Sequence, residues 1–206
     1  MPNNLISCDT TFGEDKIYLH TGITSTITTS FSSPSSSPEG LTYDGTNLIS
    51  CDSDEGRIYL HSGITSTITT SFASPWYGPC GLAYDGTNLI SCDAFRNKIY
   101  LHSGITSSIT TSFATPGDHP YGLTYDGTNL ISCDTTFGED KIYLHTGITS
   151  TITTSFSSPS SSPEGLTYDG TNLISCDSDE GRIYLHSGIT STITTSFASP
   201  WYGPCG

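Results

Sequence analysis

A hexapeptide that returns five times, strands rich in β-branched and aromatic residues, and Asp-Gly turns at fixed offsets predict an all-β fold. The expected architecture is a β-propeller of five four-stranded antiparallel blades. The tract Asn4-Leu5-Ile6-Ser7-Cys8-Asp9 recurs from Asn47, Asn88, Asn129 and Asn172, at spacings of 43, 41, 41 and 43 residues. A period of that length marks a stack of supersecondary units, and four short strands per unit is the propeller solution. A second repetition overlies the first: residues 4–81 and 129–206 are the same 78 residues, so the units run a, b, c, a, b. One domain is expected, with repeats at about 1–46, 47–87, 88–128, 129–171 and 172–206.

The second unit justifies each strand. Gly40-Leu41-Thr42-Tyr43-Asp44 is strand A, closed by Gly45-Thr46, because glycine after aspartate accepts a tight turn cheaply. Asn47 to Asp52 is strand B, with Leu48 and Ser50 on one side and Ile49 and Cys51 on the other. Ser53-Asp54-Glu55-Gly56 turns into strand C, Arg57 to His61, which is apolar on both sides, as packing between two neighbours requires. Ser62-Gly63 leads to a Thr-rich strand D from Ser66 to Phe72, and a Pro-rich connection from Ala73 to Cys80 reaches the next A. A β-solenoid is excluded because its coils are shorter and would not carry three hairpin turns. A linear string of separate sheets is excluded because a lone sheet cannot bury two apolar faces.

Pro38-Glu39-Gly40-Leu41-Thr42-Tyr43-Asp44-Gly45, then Leu48-Ile49-Ser50-Cys51-Asp52, then Arg57-Ile58-Tyr59, resembles the NHL-type repeat, and the resemblance extends over every unit. It implies the propeller fold and leaves function open, because such propellers include protein-binding, RNA-binding and lyase- or lactonase-like members. Two departures are Ser-Cys-Asp where a bulkier strand with Trp or Tyr is common, and His61 and its equivalents where Leu-Asp is frequent.

Composition narrows the partners. Twenty acidic residues against six basic ones give a net charge of −14, which works against nucleic acid and anionic lipid. No segment approaches a bilayer-spanning apolar run, and Met1-Pro2-Asn3 leads straight into the first repeat, so neither membrane partner nor signal peptide is expected. Of seven cysteines, five (Cys8, Cys51, Cys92, Cys133, Cys176) are one strand position seen five times. They are too far apart in a ring to pair with one another, and are expected to be small buried residues. Cys80 and Cys205, in Gly-Pro-Cys-Gly loops, are the candidates for exposed thiols.

Differences between units concentrate in the B-to-C turns and the D-to-A connections. In an up-down-up-down blade both lie on one rim, so the variety gathers on one face of the disc. That is the layout of a binding surface on a rigid scaffold, or of a rim that tolerates drift. The anchors expected on such a face are Trp76, Tyr77, Trp201, Tyr202, Phe12, Phe95 and Tyr121, whose rings suit carbohydrate or protein; the alternative is that the tryptophans pack onto the blade edge.

Other constellations carry less. His20, His61, His102, His145 and His186 ring strand C too far from the axis to share a metal, and are expected to be hydrogen-bonded blade residues. Asp44, Asp85, Asp126 and Asp169 could ring the channel mouth as a weak cation site, but in Asp-Gly turns they are expected to cap backbone N–H groups. His119 beside Asp118 is an ordinary solvated pair. Near-identical blades supply copies where catalysis needs unlike groups, so no enzyme, metal or cofactor is expected. The contrary case, a lactonase- or lyase-like enzyme, follows only from the resemblance.

Strands B, C and D occur five times but the Leu-x-Tyr-Asp-Gly motif of strand A only four. One blade is therefore expected to lack its inner strand. Either the ring closes as a monomer with that defect, or its edge pairs with another copy. The duplication points to a recently amplified gene, natural or engineered, or to a piece cut or assembled from one.

Overall fold

A computed structural model describes residues 4–10, 15–136, 140–201 and 203–206. Its twenty strands form five four-stranded antiparallel sheets, and no helix occurs among the described residues. The protein is a five-bladed β-propeller. The first blade holds β1 (Ile6–Asp9), β2 (Lys16–His20) and β3 (Ile27–Ser32), and the second β4 (Pro38–Tyr43), β5 (Leu48–Asp52), β6 (Arg57–His61) and β7 (Ile68–Ala73). The third runs β8 (Pro79–Tyr84), β9 (Leu89–Asp93), β10 (Lys98–His102), β11 (Ile109–Ala114), and the fourth β12 (Pro120–Tyr125), β13 (Leu130–Asp134), β14 (Lys141–His145), β15 (Ile152–Ser157). The fifth is β16 (Pro163–Tyr168), β17 (Leu173–Asp177), β18 (Arg182–His186) and β19 (Ile193–Ala198). Last, β20 (Pro204–Cys205) returns to the first blade, giving the order β20-β1-β2-β3.

That return amends one expectation. The first blade is not without an inner strand: a two-residue strand stands there, pairing Cys205 with Cys8 and Pro204 with Asp9. Strand boundaries shift too. The inner strand begins at Pro38, ahead of Gly40, and the outer one at Ile68, later than Ser66. The outer strand starts late because residues 62–67 form a fixed loop, with the Ser62 N–H on the Thr67 carbonyl at 2.8 Å and the Thr65 hydroxyl on the Ser62 carbonyl at 2.9 Å.

The core is five clusters between blades. Ile49, Cys51 and Ile58 of the second blade pack on Leu82 and Leu89 of the third, and Ile131, Cys133 and Ile142 of the fourth on Leu166 and Leu173 of the fifth. The period of two sends Ile49 and Cys51 to one neighbour and Leu48 and Ser50 to the other. Where the fifth blade meets the first, Leu5 packs on Ile174, Cys176 and Ile183 with no inner-strand leucine in the cluster.

Blade spacing is set by glycine and sulfur. A Cβ on Gly81 would lie 2.2 Å from the Tyr121 carbonyl and 2.9 Å from Cys92 Sγ, so only glycine lets neighbouring inner strands approach. Through that notch the strand-B thiol donates to the next blade's proline carbonyl: Cys51 to Pro79 at 3.3 Å, Cys133 to Pro163 at 3.0 Å and Cys176 to Pro204 at 3.1 Å.

The repeated histidines are buried and doubly bonded, as the sequence predicts. In the second blade His61 Nε2 meets the Ser50 hydroxyl at 2.8 Å and Nδ1 meets the Thr65 carbonyl at 2.6 Å, while Phe31 of the first blade packs on the ring at 6.1 Å. The same contact closes the circle through Phe197 and His20. Burial lowers the pKa of these rings, opposed by the bond to the threonine carbonyl.

Gly81→Ala should therefore cost about 3 kcal/mol in a denaturant titration, the range of overpacked interior sites. Gly63→Ala, whose Cβ would meet nothing within 4 Å, should cost about 1 kcal/mol, from its positive φ of 68° alone.

Candidate functional site

The variable rim concentrates on one cluster, built from the connection between β7 and β8 and the turn between β9 and β10. Asp93 organises the turn: its Oδ1 accepts the Phe95 and Arg96 N–H groups, both at 2.9 Å, and Asn97 follows at φ 52°. Phe95 and Arg96 are thereby pushed outward. From the connection, Trp76 lies under Arg96, whose Cζ is 3.7 Å from the ring centroid, and Tyr77 meets Trp76 edge-on at 5.8 Å. Phe95 packs over Gly78, where a Cβ would come within 2.5 Å of its ring and where φ is 110°. Tyr77 and Phe95 are 73% and 76% exposed and Trp76 42%, so the rings do not sink onto the blade edge.

This path has a structural cost. In the second, fourth and fifth blades the equivalent aspartate spends its other oxygen on a connection N–H: Asp52 on Ser37 at 2.8 Å, Asp134 on His119 at 3.0 Å, Asp177 on Ser162 at 2.8 Å. Asp93 Oδ2 is buried without a partner. Burial accordingly raises the Asp93 pKa, opposed by the Arg96 and Phe95 N–H bonds and the Arg96 charge. The Trp-Tyr-Gly connection gives up an internal hydrogen bond to present its rings.

The other expected anchors separate. Trp201 is exposed at 44% in the fifth blade's connection. Phe12 and Tyr202 lie outside the described residues. Tyr121 is half-buried on β12, packed against the cores on both sides, and does not join the rim cluster. Burial, then the charges of Cys80, Glu39 and Glu164, raises its pKa.

Those neighbours mark a second feature that sequence reasoning missed. The residue between Pro and Gly at the start of each inner strand reads Glu39, Cys80, Tyr121, Glu164 and Cys205 around the ring. Burial pushes Glu39 and Glu164 up to about 7; hydroxyl bonds from Ser53 and Ser178 oppose this, and nearby carboxylates add to it, Glu39 itself adding to Glu164. Cys80 and Cys205 are buried, against the expectation of exposed thiols, because Pro-Cys opens an inner strand and is not a loop. The legible signal was one variable position inside an invariant motif.

The opposite rim carries a cavity of about 370 Å³ on the axis, walled by Tyr43, Tyr84, Tyr125 and Tyr168 and floored by inner-strand leucines. The aspartates beside those tyrosines cap their own turns, as expected: Asp44 Oδ1 accepts the Thr46 and Asn47 N–H groups at 2.7 and 2.6 Å. Among the described residues, no group of three or more His, Cys, Asp or Glu side chains is placed to hold a metal ion.

Known proteins resemble this chain in fold. No protein-family model and no curated protein matches it. Among solved structures, a chain of the nidogen/laminin complex superposes with a TM-score of 0.70 at 16% identity, covering 98% of this chain and 96% of that one. Myxococcus xanthus glutaminyl cyclase gives 0.68 at 14% identity, over 79% of this chain and 70% of that one. U3-55K gives 0.57 at 14% identity, over 81% of this chain and 53% of that one. Identities this low establish the propeller and nothing finer.

The two glutamates yield a sign-definite prediction. A carboxyl whose folded pKa is raised keeps its proton where the unfolded chain has lost it, so its contribution to stability falls as pH rises from about 4.5 to about 7. The Glu39→Gln/Glu164→Gln double variant should gain stability over the parent across that window, reaching several kcal/mol by pH 8. At pH 4 the two proteins should unfold at nearly the same denaturant concentration.

Proposed function

We propose that this propeller is a non-catalytic binding scaffold of the NHL-like type, and that its partner is a protein engaged by the Trp76–Tyr77–Phe95–Arg96 cluster. The observation that carries the reading is the Arg96 guanidinium over the Trp76 ring, 3.7 Å from its centroid, in a cluster that also exposes Tyr77 and Phe95. Trp, Tyr and Arg dominate binding energy at protein interfaces, because they bury much area at small conformational cost. An arginine held flat on an indole keeps its edge N–H groups free for a carboxylate. With exposed Lys98 nearby, the patch is a cationic, aromatic spot on a chain of net charge −14. A peptide segment pairing an acidic with an apolar side chain matches it. A protein partner is favoured over carbohydrate because Arg96 covers a face of Trp76 that a sugar ring would stack on. The nidogen/laminin likeness comes from a propeller-bearing protein assembly and agrees with that choice.

The test is selection from a random-peptide display library, counter-selected on Trp76→Ala/Phe95→Ala. The parent should enrich peptides with Asp or Glu beside an aromatic or aliphatic residue, and the variant should bind them at least tenfold more weakly while melting within about 2 °C of the parent. Enrichment indifferent to the double substitution, or glycan-array binding that depends on Tyr77, would remove the proposal.

A further inference from the structure

We propose that Cys8 and Cys205 form a redox pair whose disulfide locks the ring shut at its two-residue seam. Their sulfurs are 3.1 Å apart, and the residues are direct partners across the antiparallel β1–β20 ladder. Such partners have Cα separations of about 4.5–5.5 Å, inside the roughly 4.4–6.8 Å that a disulfide requires.

The first blade departs from the other four in the way this pairing needs. Elsewhere the strand-B thiol donates to the next blade's proline carbonyl. Here the Pro38 carbonyl is taken by Cys205 Sγ at 2.9 Å, and Cys8 turns to the Cys205 carbonyl at 3.2 Å and to its sulfur. The third blade is an internal control, because Pro79-Cys80-Gly81 repeats Pro204-Cys205-Gly206. There β8 bulges between Pro79 and Leu82, Cys80 donates to the Gly78 carbonyl at 3.3 Å, and Cys92 accepts the Gly81 N–H at 3.1 Å. The straight register of β20 brings the seam sulfurs together.

The oxidant is a small-molecule disulfide such as oxidised glutathione. One cysteine, as thiolate, attacks a glutathione sulfur and expels glutathione thiolate. The second attacks the protein sulfur of that mixed disulfide and expels the other glutathione. The pair gives up two electrons, and its two protons end on the two glutathiones released. Both thiols are buried and burial raises their pKa, so exchange in the folded ring waits on release of the two-residue strand. The link would span 197 positions of chain, and a loop that long constrains the unfolded state strongly.

The experiment incubates the 206-residue protein with reduced or oxidised glutathione, both folded and during refolding, then alkylates it in denaturant for intact mass and peptide mapping. Under oxidising conditions five cysteines should alkylate, the cross-linked peptide should contain Cys8 and Cys205, and the melting temperature should rise by roughly 5–15 °C. Cys205→Ser should abolish the redox-dependent melting shift, and Cys80→Ser should leave it intact. Seven alkylated cysteines after oxidative refolding, or a cross-link mapping to any other pair, would overturn the proposal.

Discussion

Everything in this ring rests on the close approach of neighbouring inner strands, made by a missing Cβ and filled by a sulfur. Strand pairing builds each blade but says nothing about how blades meet. At the axis the bulged start of each of the four long inner strands turns a proline carbonyl away from its own ladder and toward the preceding blade. A buried carbonyl left unpaired is costly. A thiol is small enough to reach it through the glycine notch, apolar enough to belong in the core, and polar enough to donate weakly. A valine would fill the space and orphan the carbonyl; a serine would donate but lose apolar packing. The outer blade repeats the logic with different chemistry, Phe31 packing on a histidine that Ser50 and Thr65 hold in place.

A ring of copies can differ only where the interface does not read the side chain. The residue between Pro and Gly is such a place, since its neighbours there are drawn to its backbone. Glutamates at two of five copies bury carboxyls near the axis, and burial, with nearby carboxylates adding to it, raises both pKa values to about 7. The B-to-C turns and D-to-A connections are the other such place. There the Asp93 turn spends its carboxylate on aiming Phe95 and Arg96 outward, and leaves one oxygen unpaired to do so.

What the sequence disclosed follows the range of the interactions. Blade number, strand order, the capping role of Asp44 and the bonded role of His61 were legible because period and turn chemistry are local. Exposure of Trp76, Tyr77 and Phe95 was legible for the same reason: all three sit beside turn residues. Arg96 was missed because its partner lies in a different connection, and no spacing rule joins position 76 to position 96. Tyr121 was misplaced with the rim because its Pro-Tyr-Gly setting reads as loop, whereas that tripeptide opens an inner strand. The same misreading made Cys80 and Cys205 look exposed. The pairing of Cys205 with Cys8 escaped because cysteines were compared only with their own copies, and this contact joins two different positions of the repeat.

That contact also shows where a ring of near-identical parts must differ. Four blades are each one continuous stretch of chain, so the turns between their strands enforce the pairing. The first blade instead brings the two ends of the described chain together, and only Cys205 and Pro204 pair there with β1. A two-residue ladder holds little by itself, so the seam leans on side chains: Cys205 reaching Pro38, Leu41 packing beside Gly206, Phe197 meeting His20. The other blades use a strand-B thiol and the same Phe–His contact, but their four strands are already joined by turns. Opening of the ring should therefore begin at β20, and whatever holds Cys205 to Cys8 governs the stability of the whole disc.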